Sequence, residues 1–334
     1  MRAVFMGTPD FAVKPLKALY EAGVEIVCVV TQPDKPKGRH KTPTPCPVKE
    51  EALSLGLTVI TPERLKNKDE YEKLREYPAD IFIVAAFGQI LPKEVLIMPK
   101  YGCINIHASL LPKYRGAAPI QKCILDGEDV TGVTIMQMGE GLDTGDILYQ
   151  KEIEISADET GGSLFDRLSD LGAEMITEVL PMIEKGEINP IKQDDSLSSY
   201  AGMIKKEDGR IDFSQNASKI ERQIRAMYPW PGTFTTYKGR MLKIIKAGIV
   251  NDEDVGKDKA EEAEEKTEEK EAAGKNETES GYGIITSVSN DGITVKTGKG
   301  SLLVKELQLE GKKRMSAEEF LRGNRMDKGE RFGE

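Results

Sequence analysis

Two polar residues alternate with isoleucine in the run CINIH at 103–107. Alternation is the period of a strand, so Asn105 and His107 are expected on the same side, about 6.6 Å apart along it. Taken alone, the pair fits a hydrogen-bonded core asparagine and a capping histidine as well as it fits a catalytic role. The chain has only 2 histidines, His40 and His107. Acid–base work by an imidazole is therefore assigned to the histidine on the apolar strand.

A carboxylate follows the next strand-like run. The loop GEGLDTGD at 139–146 comes directly after residues 131–138, and its glycines are typical of a loop rather than of a helix or strand. Asp143 is therefore expected at the end of a strand. A turn-forming aspartate is an equally good interpretation of this residue alone.

An amide, an imidazole and a carboxylate that converge suit acyl transfer to an amine without a covalent intermediate. The N–H of Asn105 can stabilise a developing oxyanion, and the loss of one such donor typically costs about 10²–10³ in rate. His107 can donate to the same oxygen or move a proton. Asp143 can orient His107 or take the proton that the attacking amine loses. The amine is the nucleophile, so no serine or cysteine is required.

The elements that would position these residues alternate between strand and helix. Strands are expected at 1–6, 25–30, 57–60, 80–86, 102–106 and 131–138, and helices near 11–20, 47–55, 69–76, 117–125 and 161–184. This alternation predicts an open α/β sheet, mostly parallel, with helices on both faces. Ligands of such sheets bind beyond the carboxyl ends of the strands, which directs attention to the loops at 7–10, 31–46, 87–92, 107–116 and 139–146.

The character of the chain changes after a polar stretch at 187–204. We interpret that stretch as a linker between a catalytic domain at 1–186 and a second domain at 205–334. Short strand-like segments recur in the second domain, at 209–213, 233–237, 241–249, 282–288, 292–297 and 301–308, with one helical segment at 216–227. About five or six short strands with one helix are typical of a small OB-like β-barrel. Residues 252–280 are rich in Glu and Lys and have no apolar stripe, which predicts a solvated insertion at a hairpin tip.

Charge is distributed unevenly along the chain. The net charge is −9, but residues 252–280 contain 13 acidic and 5 basic residues. Residues 205–251 carry +6 and residues 281–334 carry +2, whereas residues 1–204 carry −9. A basic second domain beside an acidic first domain indicates a polyanionic partner.

Several classes of protein do not fit the sequence. The apolar runs are all shorter than the roughly 18 residues that span a bilayer, and the first apolar run is expected to be a strand rather than a secretory signal. The turn GTPD at 7–10 is neither GxGxxG nor a P-loop, so a nucleotide cofactor is not expected. The four cysteines are widely spaced without a CxxC pair, which favours reduced thiols in the cytoplasm and no metal site.

Several stretches, in order along the chain, resemble the 10-formyltetrahydrofolate-dependent formyltransferases. NIHASLLPKYRGAAP at 105–119 resembles the signature of that family, and the loop around Asp143 is similar to its second half. FGQILP at 87–92 resembles the folate-pocket segment. Further stretches look like the members that act on methionyl-initiator tRNA: MGTPDFA at 6–12, TQPDK at 31–35 and YPWPG at 228–232. The resemblance runs from residue 1 to 250 and resumes after 281.

This resemblance implies a Rossmann-like formyltransferase domain followed by an OB-like domain. It implies 10-formyltetrahydrofolate as co-substrate, no metal, and the α-amino group of methionyl-initiator tRNA as acceptor in translation initiation. Asn105, His107 and Asp143 match the family's catalytic trio. The folate-binding residues that it implies are Ser109, Leu110, Leu111, Pro112, Phe87, Gly88, Gln89, Ile90 and Leu91. The acidic insertion departs from the family's pattern.

Basic residues are the candidates for tRNA contacts. From charge alone, the Pro-rich loop at 31–47 is better interpreted as an ordinary solvated loop, whereas the resemblance implies that it meets the acceptor arm. The candidates in this loop are Lys35, Lys37, Arg39 and Lys41. Beyond it, the predicted phosphate contacts are Lys205 and Lys206, with Arg222, Arg225, Lys243 and Lys246.

Two alternatives stay open. One keeps the chemistry but has a small acceptor, such as glycinamide ribonucleotide or an amino-sugar nucleotide; the basic second domain argues against it. The other is a folate- or RNA-binding module without catalysis, which would have no need of the trio. A monomer is the default expectation for this architecture.

Overall fold

The computed structural model describes residues 1–37, 42–250 and 281–334, apart from the side chain of Lys37. The predicted insertion at 252–280 and the candidates Arg39 and Lys41 lie outside the described residues, as does His40. The chain divides into two compact units. Unit 1 comprises Met1–Cys123, Glu128–Ala157 and Ser163–Met203, and unit 2 comprises Ile124–Gly127, Asp158–Gly162 and Ile204–Glu334.

The elements of the first 203 residues are as follows. The strands are β1 (Arg2–Gly7), β2 (Glu25–Val30), β3 (Lys35–Lys37), β4 (Thr42–Thr44), β5 (Val59–Ile60), β6 (Ile81–Ala85), β7 (Cys103–His107), β8 (Arg115–Gly116), β9 (Val130–Gln137), β10 (Ile147–Glu154) and β11 (Tyr200–Ala201). The α-helices are α1 (Val13–Glu21), α2 (Pro47–Ser54), α3 (Lys68–Tyr71), α4 (Lys93–Leu96), α5 (Pro119–Asp126) and α6 (Gly161–Lys185). Short 3₁₀ helices occupy Asp10–Ala12, Glu72–Glu76 and Asp195–Leu197.

Seven strands of unit 1 form one sheet, in the order β10-β9-β7-β6-β1-β2-β5. The pairs from β7 to β5 are parallel, and β9 joins β7 antiparallel. The strands β1, β2, β6 and β7 are rich in Val, Ile and Phe and almost entirely buried, as expected of parallel strands covered on both faces. The predicted Rossmann-like, mostly parallel sheet is confirmed.

Strand β7 has two different sides. Ile106 faces helix α6, since a Cβ on Gly172 of that helix would lie 2.9 Å from Ile106 Cγ2. Cys103 belongs to the opposite cluster, together with Phe82, Val84 and Val95. Asn105 and His107 follow Cys103 at the strand period, so they share its side, as the alternation predicts.

Unit 2 is built on an antiparallel sheet. Its strands are β12 (Thr233–Tyr237), β13 (Arg240–Val250), β14 (Ile285–Ser289), β15 (Gly292–Lys296), β16 (Ser301–Leu309) and β17 (Met315–Ser316). Its α-helices are α7 (Ala217–Ala226) and α8 (Ala317–Gly323), and a 3₁₀ helix occupies Lys206–Gly209. The order is β12-β13-β16-β15-β14, with β17 on β16. Ile220 and Ile224 of α7, one helical turn apart, are buried with Leu242 and Leu307 in the core of this unit.

The predicted β-rich second domain is confirmed, but its closure is not. Among residues 204–250 and 281–334, β12 and β14 are the two ends of the sheet and do not pair with each other. The predicted strand at 209–213 is wrong: Lys206–Gly209 is a 3₁₀ helix, and Arg210 makes only an isolated bridge to Phe234.

In the part of the chain that the structure describes, we find no helix that is both long enough and apolar enough to cross a membrane.

Candidate active site

His107 is the last residue of β7 and is 5% exposed. Its Nε2 lies 2.9 Å from the carbonyl oxygen of Tyr114. A carbonyl only accepts hydrogen bonds, so Nε2 carries a proton and donates. In the neutral imidazole the other nitrogen, Nδ1, is then an acceptor. His107 therefore presents Nδ1 as its unprotonated nitrogen.

Tyr114 is itself held firmly beside His107. Its hydroxyl donates to Glu128 Oε1 at 2.8 Å, and its backbone N–H donates to Ser199 Oγ at 2.9 Å. The pKa of Glu128 is lowered, first by the hydrogen bond from Lys113 and also by the hydrogen bond from Tyr114. A carboxylate that stays ionised is a stronger acceptor for the tyrosine hydroxyl, which fixes the carbonyl that orients the imidazole.

Asp143 meets His107 from the loop between β9 and β10. Its Oδ2 lies 3.8 Å from His107 Nδ1 and accepts a hydrogen bond of 2.8 Å from the backbone N–H of Gly116. The side chain is 14% exposed, so it is accessible from solvent yet held. The structure thus brings His107 and Asp143 together, although they are 36 positions apart in the sequence.

Asn105 lies two residues before His107 on the same side of β7 and is 9% exposed. Its side chain forms no hydrogen bond with any described residue. Among the described residues, every fully buried side-chain nitrogen or oxygen atom has a hydrogen-bond partner, so the amide atoms of Asn105 must remain accessible to solvent. An accessible amide without an internal partner is suited to bind a ligand. This observation favours the catalytic interpretation of Asn105 over that of a satisfied core residue.

Two glycines allow the loops around the trio to approach closely. Gly116 has a φ of 115°, and a Cβ there would lie 2.7 Å from the carbonyl oxygen of Ala201. A Cβ on Gly145 would lie 1.7 Å from the carbonyl oxygen of Gln137. Glycine is required at both positions for steric reasons, so both loops depend on it to reach the trio.

The stretch Ser109–Pro112 follows β7 and is anchored by two neighbouring strands. Thr134 Oγ1 donates to the carbonyl oxygen of Ser109 at 2.6 Å and accepts from the N–H of Leu111 at 3.1 Å. Gln150 Nε2 donates to the carbonyl oxygen of Leu111 at 2.9 Å. Neither Thr134 nor Gln150 was a candidate from the sequence, because threonine and glutamine on strands carry no distinctive signal.

The stretch Phe87–Leu91 follows β6 and is connected to the loop after β2. Gln32 Nε2 donates to the carbonyl oxygens of Phe87, at 3.0 Å, and Gly88, at 3.2 Å. Gln89 is used structurally, since its side chain accepts from the N–H of Leu65 and donates to Pro62 O. Leu91 is buried and Ile90 is 65% exposed.

The predicted tRNA contacts differ in their surroundings. Lys35 is exposed, and its Nζ donates to Gln32 Oε1 at 2.8 Å. Lys205 and Lys206 are exposed residues of unit 2. In contrast, Arg225 is ion-paired with Glu221 and is less suited to contact a phosphate. Of Lys37 only the backbone is described, in β3.

Sequence reasoning missed Gln193, which is 6% exposed. Its Nε2 donates to the carbonyl oxygens of Asp143, at 2.9 Å, and Gly145, at 2.6 Å. Its Oε1 accepts two hydrogen bonds from the guanidinium of Arg115. The stretch at 187–204 is mostly polar and shows no strand or helix period, so no pattern in it distinguished Gln193 from its neighbours.

The stretch that carries Gln193 continues as part of unit 1. Residues 200 and 201 form β11, which pairs in parallel with β8. Ser199 O accepts from the N–H of Arg115. The polar stretch at 187–203 is therefore fastened to the loop that also supplies the Gly116 N–H to Asp143.

The geometry is compatible with acyl transfer to an amine, and comparison with known proteins defines the class. Residues 1–180 match the Formyl transferase family, and residues 203–325 match the Formyl transferase, C-terminal domain family. Among curated proteins, the methionyl-tRNA formyltransferase of Lachnospira eligens is 50% identical over 334 residues, covering 100% of both chains. That of Citrifermentans bemidjiense is 46% identical, covering 100% of this chain and 96% of the relative.

Solved structures agree on the fold. The N-formyltransferase from Helicobacter canadensis, in complex with folinic acid and dTDP-3-aminofucose, superposes with a TM-score of 0.61 at 21% identity, covering 90% of this chain and 98% of that one. The sugar 3N-formyl transferase WlaRD gives a TM-score of 0.62 at 22% identity, covering 94% and 99%. The chain belongs to the formyl transferase family. Within that family, the curated relatives that match its whole length are methionyl-tRNA formyltransferases.

Proposed function

We propose that this protein transfers the formyl group of 10-formyltetrahydrofolate to the α-amino group of methionyl-initiator tRNA. The observation that carries the proposal is the Asn105 amide, which has no hydrogen-bond partner among the described residues, stays accessible to solvent and lies on the same side of β7 as His107, the partner of Asp143. An oxyanion binds such a donor more tightly than a neutral carbonyl does, which is the requirement for transition-state stabilisation.

The acceptor amine is the nucleophile in this mechanism. As its nitrogen bonds to the formyl carbon, negative charge grows on the formyl oxygen, and Asn105 donates a hydrogen bond to it. Collapse restores the carbonyl and breaks the bond from carbon to the folate nitrogen. The amine loses one proton and the folate nitrogen gains one, so the step is balanced without a metal or a covalent formyl-enzyme.

His107 and Asp143 handle protons and orientation. With Nε2 directed at Tyr114 O, neutral His107 accepts a proton at Nδ1, and the imidazolium donates from that atom to the formyl oxygen, with Asp143 Oδ2 3.8 Å away. Asp143 stabilises the imidazolium or takes the amine proton itself. Gly116 N–H occupies Oδ2 of Asp143, so Oδ1 is the oxygen better placed to accept.

The formyl donor is held by the two stretches that follow β6 and β7. Ser109, Leu110, Leu111 and Pro112 form one wall of this site, and Phe87–Leu91 form the other. Support comes from their position beyond the carboxyl ends of adjacent parallel strands, where open α/β sheets bind ligands. Ser109 Oγ is already directed at Lys113 O, so backbone groups of this stretch are the better candidates for polar contacts with folate.

The acceptor is assigned from relatives and charge. Proteins 44–50% identical over at least 331 residues are methionyl-tRNA formyltransferases. Unit 2, which contains most of the basic stretches at 205–251 and 281–334, supplies the positive charge that a tRNA backbone requires. Exposed Lys35, Lys205 and Lys206 are the described candidates for phosphate contacts, and Lys37, Arg39 and Lys41 complete the set.

A direct assay tests the acceptor. Purified protein is incubated with 10-formyltetrahydrofolate and either methionyl-initiator tRNA, glycinamide ribonucleotide or an amino-sugar nucleotide, and formylated product is measured. We expect kcat/KM for methionyl-initiator tRNA to exceed the others by at least about 10³-fold, because only tRNA engages the basic unit. Faster formylation of either small amine would reject tRNA as the acceptor. No formylation of any of the three would reject the proposal that the protein is a formyltransferase.

Two further features belong to this proposal. We place the protein in the cytoplasm, where methionyl-tRNA is made; its four free thiols are compatible with a reducing compartment.

We also propose that the protein is a monomer. Sedimentation equilibrium should give the mass of one 36.9 kDa chain, and a dimer mass would contradict this part.

A further inference from the structure

We propose that Gln193 is a positioning residue that sets the catalytic geometry of Asp143, an inference that rests on the proposed formyl transfer. Asp143 has a φ of 50°, in the left-handed region that non-glycine residues adopt only at a cost. A loop held in such a conformation needs contacts that favour it over the extended alternatives. The carbonyl oxygens of Asp143 and Gly145 both accept hydrogen bonds from Gln193 Nε2, and these contacts supply that preference.

The orientation of the Gln193 amide is fixed by Arg115. Guanidinium groups only donate, and Arg115 Nε and Nη2 lie 3.0 and 2.8 Å from Gln193 Oε1. The nitrogen end of the amide must therefore face the Asp143 loop. Arg115 is held in turn by Asp195, 2.7 Å from its Nη2. A buried donor with a fixed direction can impose one loop conformation, which a mobile surface side chain cannot do.

The same arrangement holds Asp143 from both sides. Gln193 fixes its backbone carbonyl, and Gly116, the residue after Arg115, donates to its carboxylate at 2.8 Å. Arg115 thus links the two contacts of Asp143: its side chain orients Gln193, which holds the Asp143 carbonyl, and the next residue, Gly116, holds the Asp143 carboxylate. The 3.8 Å separation between His107 Nδ1 and Asp143 Oδ2 depends on both.

The substitution Gln193→Glu tests this directly. Glutamate keeps the length of the side chain and the pairing with Arg115, but it places a carboxylate oxygen against two carbonyl oxygens. We expect kcat to fall about 10- to 100-fold, the effect of displacing a reacting group by about 1 Å. KM for 10-formyltetrahydrofolate should change less than about threefold, because Ser109–Pro112 are anchored by Thr134 and Gln150 and not by Gln193.

Unit 2 offers a matched control. Gln223 Nε2 also donates to two backbone carbonyls, those of Asp208 at 2.7 Å and Arg210 at 3.2 Å. Gln223→Glu therefore imposes the same chemical change outside unit 1, and kcat at saturating tRNA should stay within about twofold of the unaltered enzyme. If it falls as far as in Gln193→Glu, the effect is general destabilisation and the inference is overturned.

A double-mutant cycle separates positioning from a merely structural role. If Gln193 acts through Asp143, then adding Gln193→Glu to Asp143→Asn should lower kcat less than about twofold further. If the double variant instead loses kcat by the product of the two single losses, the inference is overturned, but the proposed formyl transfer is not. If Gln193→Glu does not fold, Gln193→Asn, shorter by about 1.5 Å, replaces it in the same cycle. If the unaltered protein itself shows no formyl transfer, both the proposed function and this inference are rejected.

Discussion

Nδ1 of His107 lies 3.8 Å from Oδ2 of Asp143, while Nε2 of the same ring donates to the carbonyl oxygen of Tyr114. The separation is too long for a direct hydrogen bond between the two side chains. Together these contacts fix the tautomer of His107 and leave its basic nitrogen directed at the carboxylate. A proton that reaches this point can be held by either group, and we therefore expect the two residues to act as a pair.

Asn105→Ala tests the oxyanion donor. We expect kcat to fall about 10²–10³-fold, as for other oxyanion-hole donors. The thermal midpoint should change little, because the amide makes no hydrogen bond with the described residues. Asn324→Ala is a suitable control, since its Nδ2 donates to Phe320 O, and its removal should lower stability but not kcat. A normal kcat in Asn105→Ala would exclude the amide from the chemistry.

Thr134→Val tests the support of Ser109–Pro112, the segment that we propose as one wall of the donor site. The substitution preserves shape but leaves the N–H of Leu111 and the amide of Gln150 without their shared partner. Such losses cost about 1–3 kcal/mol, so KM for 10-formyltetrahydrofolate should rise about tenfold. Thr233→Val, which removes one hydrogen bond to Ile244 O in unit 2, is the control and should leave this KM unchanged. An equal rise in both variants would contradict the assignment of Ser109–Pro112 to the donor site.

The basic residues of unit 2 are tested by salt titration. The dependence of log KM for tRNA on log salt concentration should have a slope of about 0.7–0.9 per phosphate contact. Lys205→Ala with Lys206→Ala should reduce that slope by about 1.5 if both residues meet phosphates. Lys17→Ala, on an exposed position of α1, should leave it unaltered. A KM for tRNA that does not respond to salt would refute the polyanion interface.

Thiol reactivity tests the core of unit 1. Burial raises the pKa of Cys28 and of Cys103 to about 12, so at pH 8 only about 10⁻⁴ of each is the reactive thiolate. Cys46 is partly exposed. Iodoacetamide at pH 8 followed by mass spectrometry should label Cys46 well before Cys28 and Cys103. Rapid labelling of Cys103 in the folded protein would show that β7 is not buried as described.

The part of the site that follows from local pattern was predictable. Asn105 and His107 lie on the same side of β7 because a strand has a period of two residues, and that period is visible in CINIH. The distance from His107 to Asp143 was not predictable in the same way. It depends on the antiparallel register of β9 against β7 and on a positive φ at Asp143, neither of which a short sequence window specifies.

The errors have physical causes as well. Ile211 and Phe213 are both buried, which accounts for the strand-like pattern at 209–213. A strand also needs a partner along its length, and Arg210 makes only one bridge. Closure of a barrel is likewise a property of edge strands that are distant in sequence, such as β12 and β14. Gln193 could not be predicted from the sequence, because the hydrogen bonds that distinguish it are to residues 48 and 50 positions away.

The most direct test of the account measures formyl transfer by His107→Ala and Asp143→Asn alongside the dissociation constant of 10-formyltetrahydrofolate for each variant. We expect kcat with methionyl-initiator tRNA to fall at least about 100-fold in both, while the dissociation constant changes less than about threefold, because the two residues act on the transferred group and its protons. A rate near that of the unaltered enzyme in either variant would contradict the assignment of this pair to the chemical step.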